Sequence, residues 1–146
     1  MTRRREGGVW IGFRNPIPNG KALLVPLLNP EAVLKGQAAQ FGDAHLLDLG
    51  GRGIRALSLV GDRYLVVGGA FDSAPSSRLY TWDGVNDPQP SAADLSDLNP
   101  EGFVSPSASS KTLVVSDDGA ELVNGTECKR LTDASQKRFR ARFITP

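Results

Sequence analysis

Arg52 and Glu101 are the two charged residues whose spacing first suggests chemistry. They occupy matching places in two stretches that superimpose 49 residues apart. Asp48-Leu49-Gly50-Gly51-Arg52-Gly53-Ile54 lies over Asp97-Leu98-Asn99-Pro100-Glu101-Gly102-Phe103, and each charged residue directly precedes a strand-opening glycine. Opposite charges at equivalent places can pair, or can together hold a ligand that carries both signs. Arg55 and Asn99 stand beside them, and Arg14 follows the first apolar strand. The plainer account of the same residues is a salt bridge or a turn contact.

A second constellation is Ser116-Asp117-Asp118-Gly119, at the end of a buried-looking strand. Adjacent carboxylates there could bind a hard cation such as Ca²⁺ or another divalent ion. The further oxygen ligands and closing Glu of an EF-hand are missing. Asp-Gly at a strand end is also a hairpin signal, which leaves Asp117 as the better functional group of the two. Two classes of function follow. One is a non-enzymatic ligand- or protein-binding module with a polar site around Arg52 and Glu101. The alternative is a metal-dependent hydrolase, akin to propeller phosphatases and esterases, using Asp117, Glu101 and a divalent ion. Apart from such an ion no cofactor is expected.

Other chemistries fail on context. Gly51-Arg52-Gly53-Ile54-Arg55-Ala56 fits a dinucleotide fingerprint in letters, but that site needs a helix next. Gly61-Asp62 interrupts instead, and a further strand begins. His45 is the single histidine, and no G-x-S-x-G nucleophile motif accompanies it. Cys128 is the single cysteine, so intrachain disulfides and cysteine-rich metal sites are excluded. Its neighbours Lys129 and Arg130 would favour a thiolate, although a small structural cysteine explains it equally.

The chain has 146 residues, the length of one domain, and 40% of them are apolar, enough for a core. Sixteen Gly and ten Pro suit a chain of many tight turns. A net charge of +1 gives no case for nucleic acid or membrane. Charge is nonetheless segregated. Residues 83–127 hold nine acidic side chains against one basic, and 129–142 hold six basic against one acidic. The first apolar run, 9–13, is too short for a signal-peptide core, so a cytoplasmic location is expected.

Strand signals position these residues: short β-branched or aromatic runs punctuated by Gly, Pro, Asn and Asp. Runs are read at 9–13, 21–28, 45–49, 54–60, 64–69, 78–83, 102–104, 112–116, 121–123 and 139–144. Pro26 marks the second run as an edge or bulged strand. The stretch 29–36 reads as a short helix with Asn29 as its cap, Pro30 at its first position and Gly36 at its end. Trp10, Tyr80 and Trp82 read as packing residues. In 139–144 the alternation places Phe139, Ala141 and Phe143 on one face and Arg138, Arg140 and Arg142 on the other, the pattern of a half-buried strand.

The repeat length matches propeller blades, typically ~40–50 residues each. The expected fold is all-β: one domain of three propeller-like antiparallel blades, about 9–52, 53–101 and 102–146. The first unit would lack a counterpart of 54–60. Three blades do not close a ring, so the chain is expected to self-associate, most simply as a homodimer.

Several phrases resemble a bacterial family of unassigned function, domain of unknown function 3616. They are Trp10-Ile11-Gly12-Phe13-Arg14-Asn15-Pro16, Ala22-Leu23-Leu24-Val25-Pro26-Leu27-Leu28-Asn29-Pro30, Leu47-Asp48-Leu49-Gly50-Gly51-Arg52-Gly53-Ile54-Arg55, Leu98-Asn99-Pro100-Glu101-Gly102, Ser116-Asp117-Asp118-Gly119 and Cys128-Lys129. The resemblance implies a propeller-like fold. It also implies a chain shortened at its N-terminus relative to typical members. It supplies no reaction and no ligand.

Overall fold

The computed structural model describes residues 1–70, 77–105 and 111–145. The chain is all-β, built from small antiparallel sheets, none of them closed. The first sheet runs β1 (Thr2–Arg3), β2 (Val9–Gly12), β3 (Ala22–Leu27) and β4 (His45–Leu47), side by side in chain order. The second likewise runs β5 (Gly53–Val60), β6 (Arg63–Gly69), β7 (Arg78–Trp82) and β8 (Gln89–Pro90). In the third, β10 (Thr112–Ser116) lies between β9 (Pro100–Val104) and β13 (Ala141–Ile144). A separate hairpin, β11 (Leu122–Val123) and β12 (Thr126–Glu127), lies between β10 and β13 in the chain. Asn124 and Gly125 turn this hairpin, both with positive φ, the backbone that a two-residue turn of this hand requires.

The second sheet is the middle layer, and side-chain alternation sends its two faces to different neighbours. Tyr64, Val66, Tyr80 and Trp82 pack against Trp10, Ala22, Leu24 and Leu47 of the first sheet. Leu65, Val67 and Leu79 pack against Val114 and Ile144 of the third, together with Leu95 and Leu98. Val66 and Val67 are adjacent and both fully buried, as expected of a strand covered on two sides. Burying each such side chain is worth about 1.5–2 kcal/mol. The aromatic residues are packing residues as expected: Trp82 lies 5.6 Å from Trp10 and 5.1 Å from Tyr64 between ring centroids.

The structure refines several sequence expectations. Residues 2–3 add a strand to the first sheet, before the range read from sequence. β3 is an internal strand in spite of Pro26, and register explains why. The Pro26 carbonyl accepts from Gly42, so its donor-less nitrogen faces beyond the end of β4, where no ladder partner is needed. The helix is present as α1 (Pro30–Leu34), but Asn29 does not cap it. Its side chain instead ties the following loop, donating to the Ala38 carbonyl at 2.9 Å and accepting from the Gln40 amide at 2.8 Å.

The half-burial expected of 139–144 is confined to its last residue. Phe139 and Phe143 are 68% and 59% exposed, while Ile144 is buried. In the ladder Arg142 stands beside Val114 and Ile144 beside Thr112, both inward residues of β10. The period of two is present, and on the arginine side Arg140 meets the buried Asp118 while Arg142 meets the exposed Asp97.

Candidate functional site

The inter-sheet strand contacts concentrate on β5, which touches β1, β2, β3 and β9. Two glycines permit the approach to the first sheet. A Cβ on Gly53 would collide with the Arg14 carbonyl, and one on Gly12 would lie 2.6 Å from Ile54 Cγ2. The Ile54 amide then donates to the Phe13 carbonyl at 2.9 Å. The end of β2 and the start of β5 are thereby joined, and Arg14 is delivered to the rim of a cavity between the sheets. Arg14 Nε donates to the Ala70 carbonyl at 3.4 Å.

Both inner strands carry a register shift at their beginnings. In β5, Ile54 pairs with Gly68 and Ala56 with Val67, leaving Arg55 as an extra residue. In β9, Pro100 pairs with Ser116 and Gly102 with Val115, leaving Glu101 extra. An inserted residue breaks the alternation and re-aims its own side chain. The consequence is visible in packing: Ile54 and Leu57 join the core on one side of the sheet, Ala56 the core on the other. Arg55 and Glu101, both released from the ladder, pair across the gap between the sheets. Arg55 Nε donates to Glu101 Oε1 at 3.1 Å, and Nη2 donates to the same oxygen. Gly69 makes the seat for Arg55, since a Cβ there would run into the Arg55 stem.

The third sheet supplies the opposite wall. The Asn99 amide donates to Ser116 Oγ at 2.9 Å, Asn99 Nδ2 donates to the Asp117 carbonyl at 3.1 Å, and the Asp117 amide returns a bond to the Asn99 carbonyl at 2.8 Å. Asp117 Oδ1 accepts from the Gly119 amide at 2.9 Å, closing a tight turn and leaving its carboxylate exposed at the cavity. Asp118 points the other way and is buried. Its two oxygens take the Arg140 amide at 2.6 Å, Arg140 Nε at 2.9 Å, Arg140 Nη2 at 2.8 Å and the Ser116 hydroxyl at 2.7 Å. The hydrogen bonds from the Arg140 side chain hold the Asp118 carboxyl at about 2, against an ordinary 3.8. Arg142 grips Asp97 with both guanidinium nitrogens, at 3.0 and 2.6 Å, which likewise lowers the Asp97 pKa.

The result is a cavity of about 570 Å³ at the converging ends of the three sheets. Arg14, Arg55 and Arg140 line it, facing the carboxylates Asp97, Glu101, Asp117 and Glu121. Such a volume lies within the usual range for small-molecule sites. Three cations and four carboxylates share the wall, so the surface offers donors and acceptors of opposite charge within one cavity.

Of the residues proposed from sequence, Arg14, Arg55, Asn99, Glu101 and Asp117 are brought together here. Arg52 is not. Its guanidinium turns back onto its own loop, donating to the carbonyls of Leu49 at 3.3 Å and Gly50 at 3.1 Å. Asp118 is occupied by Arg140 and does not face the cavity with Asp117. Among the described residues no group of three or more His, Cys, Asp or Glu is placed to hold a metal ion. Sequence reasoning missed Arg140 and Asp97. The alternation of 138–142 carried the signal for Arg140, because it sets the arginines together on one face.

Fold and site together define an all-β protein of stacked antiparallel sheets with a polar cavity at their inner ends. The family described as protein of unknown function, DUF3616, matches residues 4–111, and the chain belongs to that family. No curated protein and no solved structure matches it. No described helix is long and apolar enough to cross a membrane.

Proposed function

We propose that this protein is a non-enzymatic binding module, built from propeller-like blades that self-associate, whose cavity takes a small zwitterionic ligand. The observation that carries this reading is the shared wall of Arg14, Arg55, Glu101 and Asp117 around one cavity. A ligand carboxylate suits the positive wall that Arg14 and Arg55 give the cavity, since charge-assisted hydrogen bonds are the strong ones. A ligand ammonium suits Asp117, whose exposed carboxylate keeps acceptor capacity beyond its bond to the Gly119 amide. The Arg55–Glu101 pair would hold both groups in place before the ligand arrives, which lowers the ordering cost of binding.

The hydrolase alternative has less behind it, because Asp118 is committed to Arg140 and Glu101 to Arg55. Calorimetric titration with free amino acids and betaines tests the leading reading. Binding at micromolar to millimolar affinity is expected, weakened at least tenfold in both Asp117→Asn and Arg55→Gln. Absence of binding by every zwitterion tried, together with stabilisation by a divalent ion that disappears in Asp117→Ala, would favour the hydrolase instead.

A further inference from the structure

The two end sheets of the stack each carry an outer face with no charged side chain at its centre. In the first sheet the paired rows Val9 with Leu27, Ile11 with Val25 and Leu23 with Leu46 lie on one face, with Arg3, paired with Val9, at its edge. That face is opposite the one bearing Trp10, Leu24 and Leu47, which pack into the core. Phe41, bridged to Leu27, extends it and is 58% exposed. In the third sheet Leu113 stands between Val104 and Phe143, and Val115 between Gly102 and Ala141, opposite the buried face of Thr112 and Val114. Directly paired residues share a face, so these are continuous apolar surfaces rather than scattered side chains.

We propose that a second copy of this chain covers both faces at once, the first sheet of each copy packing on the third sheet of the other. This deepens the self-association in the reading above and is independent of what the cavity binds. Three observations favour this occupant. The second sheet is already covered on both faces by sheets of the same kind, so the chain itself shows what buries such a surface. The inter-sheet strand contacts run through β5, and the first and third sheets pack on opposite faces of the second, so the two apolar faces are the ends of the stack. Area supplies the third. Three strands of about five residues make a patch of roughly 14 by 17 Å. Even doubled by side-chain relief, one patch falls short of the ~800 Å² that a stable interface removes from each partner. Two patches per copy come up to that requirement. A two-fold rotation provides both contacts and closes the assembly, whereas a single face-to-face contact provides one.

Sedimentation velocity on the full chain at micromolar concentration tests this. Phe41→Lys and Phe143→Lys are the informative variants, because both positions are exposed within one copy and substitution there leaves the chain's own core intact. The expected wild-type mass is twice the 15.6 kDa of one chain, and each variant alone should halve it. Far-ultraviolet circular dichroism of both variants should match the wild type, and a variant that unfolds is replaced by Val104→Lys or Leu46→Lys on the same face. A monomeric wild type overturns the proposal and assigns the faces to another segment or partner. A mass lowered by only one of the two variants overturns the two-face arrangement in favour of a single symmetric contact. A mass that rises beyond two copies with concentration overturns closure.

Discussion

Arg55 and Glu101 are each the extra residue of a register shift at the start of an inner strand, and they meet across two sheets with Nε 3.1 Å from Oε1. The pair is unequal in exposure: 11% of the Arg55 side chain and 43% of the Glu101 side chain remain accessible. It joins the second sheet to the third at the cavity, so its strength bears on stability and on the site together. A double-mutant cycle of Arg55→Ala and Glu101→Ala, followed by urea unfolding, should give a coupling of about 0.5–1 kcal/mol. Raising the ionic strength should reduce it, since part of the pair faces solvent. A coupling indistinguishable from zero at low salt would mean that the pair is incidental.

Two glycines beside this pair should respond differently to the same added methyl group. At Gly53 the obstacle is the Arg14 carbonyl, which is backbone and cannot give way without separating β2 from β5. At Gly69 the obstacle is the Arg55 stem, which can swing aside at the expense of its bond to Glu101. Overpacking typically costs 1–3 kcal/mol, so Gly53→Ala is expected near about 3 kcal/mol and Gly69→Ala near about 1 kcal/mol. Unfolding midpoints measure both, and Gly69→Ala should abolish the coupling measured between Arg55 and Glu101.

Acid should act in part through Asp118. Its folded pKa of about 2 lies below the ordinary 3.8, chiefly because the Arg140 side chain donates to it. The unfolded chain therefore binds this proton more readily than the folded one. The stabilisation is complete above about pH 4 and is lost as the pH falls towards 2. With Arg140 45% exposed and screened by solvent, the contribution is about 1–2 kcal/mol. Stability curves between pH 5 and 2 should be flatter for Asp118→Asn than for the wild type. Equal slopes would remove Asp118 from the acid response.

Cys128 should be inert in the folded state. It is buried, its thiol donates to the Arg138 carbonyl at 3.3 Å, and its sulfur accepts from the Arg138 amide at 3.4 Å. A thiol so enclosed is structural rather than reactive. The native protein should react slowly with a thiol-specific disulfide reagent, and one thiol per chain should react promptly in urea. Rapid labelling without denaturant would show that the segment around Cys128 opens readily.

The strand plan was legible because period-two patterning and turn residues act locally. Runs such as 64–69 and 112–116 contain β6 and β10 almost residue for residue. Several site residues were legible too, since Arg55, Glu101, Asn99 and Asp117 all flank strand ends where the chain must turn. Their partners were not. Aligning the two motifs at 49 residues set Arg52 opposite Glu101, whereas the ladders put Arg55 and Glu101 in like positions. The alignment of letters therefore runs three residues out of step with the ladders, and one extra residue in each strand does not show in the letters.

By itself the sequence determined the chemistry available and the local geometry: all-β elements, glycines where the backbone must pass closely, and opposite charges near strand openings. Tertiary structure alone decided which charges meet and which face is inside. Arg140 and Arg142 alternate with Phe139 and Phe143, and hydrophobicity alone would bury the aromatic rings. The fold instead turns these arginines toward Asp118 and Asp97 and leaves both rings exposed, because the buried Asp118 carboxylate without a cation would cost more than an exposed phenyl ring. That balance depends on groups 22 and 45 residues away in the chain, and no local pattern reports it.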